Sequence, residues 1–178
     1  MAELLRRGDA AAFERIVREN RRAVYLMARR VLGDHHSADE AAQAAFVRAW
    51  QAREKFRGAS SVRTWLIRIV LNVASSMGRS RRGGEAPIGF DGIPDDSPDS
   101  EEQVRRRQLR ERVRRAVAAL PDRQREAVLL KVFSELTCRE TAEVMGLSEG
   151  AVKAHLHQAV RNLRRVMRKE TEEEEAAR

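Results

Sequence analysis

The sequence is poor in cysteine, in aromatic residues and in long apolar runs. Cys138 is the one cysteine among 178 residues, which excludes a disulfide framework and a zinc site built from several cysteines. Aromatic residues make up 4% of the chain, so any core must consist mainly of Ala, Val, Leu and Ile. The most apolar stretch, residues 65–74, contains an arginine and an asparagine and is too short to cross a bilayer, and no signal peptide pattern is visible. We therefore expect a cytoplasmic protein with no membrane partner.

Patterns that carry catalysis or bind metals are also missing. The chain has no glycine-rich phosphate loop, no histidine and aspartate cluster at metal-ligand spacing, and no nucleophile beside a base. His155 and His157 are two residues apart on a predicted helix and therefore point to different faces. The neighbours His35 and His36 lack further ligands and fit a turn better. We expect no enzyme activity, no cofactor and no bound metal.

Charge is distributed in blocks along the chain, whose net charge is +8. Residues 1–82 carry 17 basic and 8 acidic side chains, and residues 103–169 carry 17 basic and 7 acidic side chains. Residues 83–102 contain seven acidic and no basic side chains, and residues 170–178 have a net charge of −4. Two strongly basic blocks indicate a polyanionic partner.

The acidic segment 83–102 is predicted to be a flexible linker. It holds three of the four prolines and four of the ten glycines, a composition that neither sustains a helix nor buries apolar surface. Twenty residues of coil span roughly 25 Å on average and up to about 70 Å when straight. We therefore expect two small domains, 1–82 and 103–169, that reach separate sites on one extended partner. The acidic tail 170–178 is expected to fray, because glutamates oppose the dipole at a helix C-terminus.

Both basic blocks show helical periodicity and predict an all-α fold. In the first block, apolar residues between positions 13 and 31 recur at spacings of three, four and seven, which marks one helical face. Ser37 followed by Glu40 fits a capping box for a second helix that runs through Trp50. A third helix follows a glycine-containing loop. No strand-like alternation of useful length occurs anywhere.

Residues 137–168 form the most specific pattern in the sequence. Thr137 followed by Glu140 fits a capping box for a short helix, and Gly146 allows the left-handed turn that ends it. Ser148 then caps a longer helix. Its apolar side is predicted to consist of Val152, Leu156, Val160, Leu163 and Met167. Two helices joined by so tight a turn predict a helix-turn-helix.

The exposed side of the longer helix favours DNA binding. Its polar and basic residues near the N-terminus could reach base edges in a major groove, while lysine and arginine contact phosphates. An ordinary helical hairpin with a solvated basic face is the alternative interpretation. DNA binding is favoured because the caps, the turn glycine and the basic face coincide.

The run ALPDRQREAVLLKVFSELTCRETAEVMGLSEGAVKAHLHQAVRNLRR resembles the −35-reading domain of bacterial RNA polymerase sigma factors. In the first block, SADEAAQAAFVRAW resembles the segment by which these factors grip the polymerase clamp, and KFRGASSVRTWLIRIVLNVASSMGRSRR resembles the segments that open and read the −10 element. The resemblance covers about residues 8–82 and 104–168. Two matches in the expected order, in so short a chain, are typical of the extracytoplasmic-function (ECF) group.

This resemblance implies two promoter-reading surfaces. The −10 contacts would be Phe56, Arg57, Ser60, Ser61, Val62, Arg63, Asn72, Arg79, Arg81 and Arg82. The −35 contacts would be Arg139, Ser148, Lys153, Ala154, His155, His157, Gln158 and Arg161. Phe56 fits a core position about as well as a base contact. The family often has arginine at the positions of His155 and Gln158, so an altered −35 preference is expected, and Gln158 could pair bidentately with adenine.

The resemblance also implies a polymerase-binding surface on the second helix. The contacts or supports would be Glu40, Gln43, Phe46, Val47, Arg48 and Trp50. The family usually has an acidic residue where this chain has Ala44. We therefore expect this chain to bind core polymerase more weakly or through different contacts. Phe46 and Trp50 lie four residues apart on one helical face and also fit a core role.

The sequence therefore predicts a sigma factor without catalytic activity of its own. It would bind core RNA polymerase at the clamp and the flap, direct it to specific promoters and promote promoter opening. Its DNA contacts would include duplex and single strands, and an anti-sigma factor is a further expected partner. The alternative is a stand-alone helix-turn-helix regulator that binds duplex DNA without polymerase, which a band-shift assay without core polymerase would reveal.

Overall fold

The computed structural model describes residues 2–82 and 101–176, and the side chains of residues 3–80 and 102–168. Within these ranges the chain contains helices and turns but no strand, which confirms the all-α prediction. The predicted linker lies outside the described residues except for its last two, which begin a helix. The last helix continues to Ala176, into the acidic tail that was expected to fray. Glutamate is a good helix former, and its propensity outweighs the unfavourable dipole term.

Residues 2–82 form the first helical unit. Its helices are α1 (Ala2–Arg6), α2 (Ala10–Leu32), α3 (His35–Gln51) and α4 (Val62–Arg82), and a 3-10 turn spans Arg53–Lys55. Asp9 caps α2, because its Oδ1 accepts a hydrogen bond from the Ala12 backbone N–H at 2.9 Å. Gly33 ends α2 in the left-handed conformation with φ of 83°.

The helix α3 begins earlier than the sequence predicted. Asp34, not Ser37, caps it: Asp34 Oδ1 accepts a hydrogen bond from the Ser37 backbone N–H at 2.8 Å. Ser37 itself is buried in the first turn of the helix. The predicted capping box of Ser37 and Glu40 is therefore wrong, because Asp34 stands directly before the helix and is an equally good cap.

The core of the first unit lies where α2, α3 and α4 meet. Large apolar side chains come from α2 and α4, and small ones from α3, so that α3 approaches its neighbours closely. The fully buried members include Ile16, Val24, Met27, Ala38, Ala41, Ala45, Leu66, Ile67 and Val70. Burial of this one face leaves the opposite sides of α3 and α4 facing outward.

Residues 101–176 form the second unit. Its helices are α5 (Glu101–Ala118), α6 (Asp122–Val128), α7 (Cys138–Met145) and α8 (Glu149–Ala176), and a π-helical turn over Leu129–Phe133 extends α6. Pro121 stands at the N-cap of α6, where its missing N–H costs no hydrogen bond. The core includes Val117, Leu130, Val152 and Ala159. Among the described residues, no helix is both long enough and apolar enough to span a membrane.

Candidate nucleic-acid interface

The helix-turn-helix of α7 and α8 has the capping contacts that the sequence predicted. Thr137 Oγ1 accepts a hydrogen bond from the Glu140 backbone N–H at 3.2 Å, and a Glu140 carboxylate oxygen accepts one from the Thr137 backbone N–H at 2.9 Å. The backbone N–H and the hydroxyl of Thr137 both donate to the Glu140 carboxylate, and these two hydrogen bonds lower its pKa because they favour the ionised form. Gly146 turns the chain with φ of 66°, and Ser148 Oγ accepts a hydrogen bond from the Ala151 N–H at 3.2 Å.

Most of the predicted −35 contacts lie on the open side of α8. The exposed ones on this helix are Lys153, Ala154, His157, Gln158 and Arg161, and Arg139 is exposed on α7. His155 is half-buried towards α6. Burial raises the pKa of Glu126 on that helix, and the nearby Arg123 and, to a smaller extent, His155 oppose the shift. Val160 was expected to be buried but is 46% exposed, because Ala159 occupies the buried position instead.

A buried amide beneath α8 escaped the sequence analysis. Gln124 of α6 is 7% exposed and donates a hydrogen bond from Nε2 to Oε1 of Gln158 at 3.3 Å. Its own Oε1 accepts a hydrogen bond from Nδ2 of Asn162 at 2.8 Å. Gln124 is 34 residues from Gln158 in the chain, so no local pattern connects the two. In the sequence, Gln124 is simply a glutamine between two arginines, which does not indicate that its side chain is buried.

The buried face of α7 contains a polar atom without a partner. Thr141 is fully buried, and its Oγ1 makes no hydrogen bond to any described residue. An unpaired buried hydroxyl destabilises a protein by about 1–3 kcal/mol.

In the first unit, the outer face of α4 carries a polar stripe. Arg68, Asn72 and Arg79 are exposed, and their spacing places them on one side of the helix. Opposite them, Leu66, Val70 and other apolar residues anchor α4 in the core. The side chains of Arg81 and Arg82, also predicted to contact DNA, lie outside the described residues.

The loop before α4 directs Phe56 into the core. This side chain is 4% exposed and packs against Trp65, with the ring centroids 4.9 Å apart. The sequence fitted a core position and a base contact about equally, and the structure places Phe56 in the core, because Trp65 offers it an aromatic partner. Its neighbours Arg57 and Ser61 are exposed, and Ser60 and Val62 are half-buried. The loop surface is therefore polar rather than aromatic.

The start of α4 contacts the second unit. Thr64 Oγ1 donates a hydrogen bond to a Glu140 carboxylate oxygen at 2.9 Å, and Arg63 donates one to the Ser134 carbonyl at 3.3 Å. On α2, Arg30 donates to the Phe133 carbonyl at 2.9 Å and lies over the Phe133 ring, 5.2 Å from its centroid. Burial there lowers the pKa of Arg30. The cap of the helix-turn-helix and the loop before α4 are thus joined.

The predicted polymerase contacts divide into an exposed and a supporting set. Glu40, Gln43 and Val47 form one outward face of α3, and Val47 is 56% exposed. Arg48 is also exposed. Phe46 and Trp50 are half-buried and pack against the core or its edge. Trp50 contacts Phe13, with ring centroids 5.0 Å apart, and Arg53, 4.5 Å from the Trp50 ring.

Comparisons with known proteins identify both helical units. Residues 16–83 match the family model of sigma-70 region 2, and residues 110–163 match that of sigma-70 region 4. The chain is 31% identical over 158 residues to the RNA polymerase sigma-E factor of Streptomyces avermitilis, covering 88% of this chain and 86% of that protein. It is 29% identical over 174 residues to the ECF RNA polymerase sigma factor SigW of Bacillus subtilis, covering 92% and 93%. The chain belongs to the ECF sigma factors.

Solved structures of similar proteins agree with this sigma-factor fold. The structure of CnrH in complex with the cytosolic domain of CnrY matches with a TM-score of 0.71 and 25% identity, over 94% of this chain and 95% of that one. The sigma factor RpoE, solved with the anti-sigma factor NepR from Bartonella quintana, matches with a TM-score of 0.67 and 21% identity, over 88% and 97%. In this sigma factor the region 2 match contains α3 and α4, and the region 4 match contains α7, the turn and α8 up to residue 163.

Among the described residues, no group of three or more histidine, cysteine, aspartate or glutamate side chains is placed to hold a metal ion. The candidate surfaces described above offer charge, hydrogen bonding and apolar contact. These are the interactions by which proteins bind nucleic acids and other proteins.

Proposed function

We propose that this sigma factor reads the two promoter elements with two separate surfaces. The −35 element would contact α8, and the −10 element would contact α4 together with the loop before it. The observation that carries this assignment is the capped helix-turn-helix, whose exposed face on α8 is basic and polar. We assign no catalytic step to the chain and place its action with RNA polymerase in the cytoplasm.

The N-terminal half of α8 suits a major groove. Its open side presents Lys153, His157, Gln158 and Arg161, with Val152 buried behind them. Lys153 and Arg161 would neutralise phosphates, while Gln158 is long enough to reach a base edge. The caps at both ends of the turn hold the two helices at a defined angle, as base reading requires.

The stripe on α4 suits a strand of melted DNA. Arg68 and Arg79 would follow the phosphates, and Asn72 between them would donate and accept hydrogen bonds at a base edge. The loop before α4 offers Arg57, Ser60 and Ser61 to a base that has left the stack. Since Phe56 is buried, hydrogen bonds rather than an aromatic platform would hold that base.

Polymerase binding is proposed for the outward face of α3. Val47 is an exposed apolar side chain between polar neighbours, a composition common at protein interfaces. Glu40 and Gln43 would contribute polar contacts beside it at the polymerase clamp, and the second unit would contact the flap. CnrH, whose structure resembles this chain, was solved with the cytosolic domain of CnrY, and RpoE, which shares the fold, was solved with the anti-sigma factor NepR. On that ground we propose that an anti-sigma factor also binds this sigma factor.

Run-off transcription with purified core RNA polymerase tests the proposal. Wild-type protein should give promoter-dependent transcripts, and Val47→Glu should lower them by weakening the binding to core. Arg161→Ala should reduce binding of the holoenzyme to promoter DNA, whereas the matched variant Arg110→Ala, an exposed arginine on α5, should not. Absence both of promoter-dependent transcripts and of binding to core would exclude the proposal. Tight, sequence-specific binding to duplex DNA without polymerase would support a stand-alone regulator instead.

A further inference from the structure

We propose that Gln124 is a positioning residue that sets which base Gln158 prefers in the −35 element. This inference rests on the proposed reading of the −35 element by α8. Gln124 would not touch DNA, because it is 7% exposed and lies on α6 behind the exposed face of α8. Its effect would pass through one hydrogen bond, to the side-chain amide of Gln158.

Both ends of the Gln124 amide are occupied. Its Oε1 accepts a hydrogen bond from Asn162 Nδ2 at 2.8 Å, and its Nε2 donates to Gln158 Oε1 at 3.3 Å. A buried amide that lost either partner would leave a polar group unsatisfied, at a cost in stability. With Asn162 Nδ2 on the Gln124 oxygen, the Gln124 nitrogen faces Gln158 and takes the Gln158 oxygen as its acceptor.

This direction determines what Gln158 presents to solvent. Its oxygen is engaged by Gln124, whereas its Nε2 makes no hydrogen bond to a described residue, and the side chain is exposed. A side-chain amide nitrogen carries two donor hydrogens. Gln158 therefore offers donors outward, and its acceptor points back towards α6.

Donors of this kind discriminate between base edges. In the major groove guanine presents two acceptors, N7 and O6, whereas cytosine presents the N4 donor. Gln158 should accordingly favour guanine over cytosine at the base that it faces. Adenine presents one acceptor and one donor, so the preference of Gln158 for adenine should lie between those for guanine and cytosine. Pairing with both groups of adenine would draw the Gln158 oxygen away from Gln124. The bidentate adenine contact expected from the sequence is thus disfavoured.

The substitution Gln124→Glu should reverse this preference. A carboxylate only accepts hydrogen bonds, so it can still accept from Asn162 but forces Gln158 to turn its Nε2 inward. Gln158 would then present its oxygen outward and favour cytosine over guanine. Gln124→Leu removes both hydrogen bonds while keeping a similar volume, and should leave Gln158 without a fixed direction.

The experiment selects −35 sequences from a randomised promoter library with holoenzyme made from the full-length protein and core RNA polymerase. Wild-type protein must first select a −35 sequence, and failure of that step would count against the proposed function itself. Gln158→Ala then identifies the base position that Gln158 reads, as the position where the preference disappears. Arg161→Ala should weaken binding at all sequences alike, since a phosphate contact carries no base information.

At the position identified, the ratio of guanine to cytosine is the decisive measurement. We expect the wild-type ratio to favour guanine by roughly three- to tenfold, the value of one hydrogen bond, and to shift towards cytosine by a similar factor in Gln124→Glu. The ratio of guanine to cytosine selected by Gln124→Leu should approach the ratio selected by Gln158→Ala. The variant Gln108→Glu, which adds the same charge on the exposed side of α5, should keep the wild-type ratio.

If both Gln124 variants keep the wild-type ratio of guanine to cytosine, the proposal is overturned. A wild-type preference for cytosine, or no change of preference in Gln158→Ala at any position, would also overturn it. Should Gln124→Glu fail to fold, as circular dichroism would show, Gln124→Leu decides by the same ratio. A purely structural role of Gln124 would lower affinity for every sequence without changing the ratio at one position.

Discussion

The two helices of this sigma factor that we propose to face DNA are supported in different ways. The helix α4 is anchored by a continuous apolar face that includes Leu66 and Val70, and its exposed Asn72 has no described polar support beneath it. The helix α8 has Val152 and Ala159 at its buried face, but polar contacts to α6 and capping hydrogen bonds also hold it. Apolar packing positions a helix as a whole, whereas directional hydrogen bonds orient single side chains. Apolar support alone suits the proposed binding of a melted strand by α4, whereas oriented side chains suit the proposed reading of base sequence by α8.

The largest expected effect tests the apolar support of the first unit. Leu66 is fully buried beneath the stripe of α4, so Leu66→Ala should reduce the free energy of unfolding by about 2–5 kcal/mol. Urea unfolding followed by circular dichroism measures this change. The control Val47→Ala removes an exposed side chain and should change the free energy of unfolding by less than about 0.5 kcal/mol. A small effect of Leu66→Ala would show that α4 does not depend on this packing.

The second prediction concerns the polar support of the helix-turn-helix. Thr137→Ala removes the cap of α7 and one partner of Glu140, and should cost about 1–2 kcal/mol of stability. Thermal unfolding measures this loss. Ser76→Ala, on the exposed surface of α4, is the matched control and should leave the melting temperature nearly unchanged. Equal effects of the two substitutions would contradict the role of the capping box.

The third prediction has the opposite sign. Thr141→Val replaces an unpaired buried hydroxyl by a methyl group of similar size, and should stabilise the protein by about 1 kcal/mol. Chemical denaturation would show the midpoint moving to higher urea concentration. A destabilised Thr141→Val protein would mean that the hydroxyl has a partner in solution.

The smallest expected effect is a pH dependence at the contact between the units. Hydrogen bonds from Thr137 hold the pKa of Glu140 in the folded protein below its usual value. Ionised Glu140 therefore stabilises the fold at pH values above its unfolded-state pKa of about 4.3. This stabilisation is lost as the pH falls through the lower folded-state pKa. Wild type should therefore exceed Glu140→Gln in stability at pH 7, and the difference should shrink as the pH falls below about 4. Melting temperatures of both proteins across this range provide the test. A difference that does not depend on pH would exclude the ionic contribution.

Most local structure was predictable from the sequence. The capping box of Thr137 and Glu140, the turn at Gly146 and the cap at Ser148 follow from residues within three positions of one another. The error at Ser37 shows the limit of such patterns, since Asp34 and Ser37 are both good cap residues three positions apart and only the start of the helix distinguishes them. The division of the chain into two basic blocks was likewise visible in composition.

The sequence by itself therefore determined the helices, the helix-turn-helix and the family, because these depend on residue type and short spacing. Only the tertiary structure decided that Phe56 is buried against Trp65, that Val160 faces outward, and that Gln124 holds Gln158. The physical reason is that burial and hydrogen bonding of a side chain depend on its neighbours in space. For Gln158 that neighbour lies 34 residues away in the chain, on another helix.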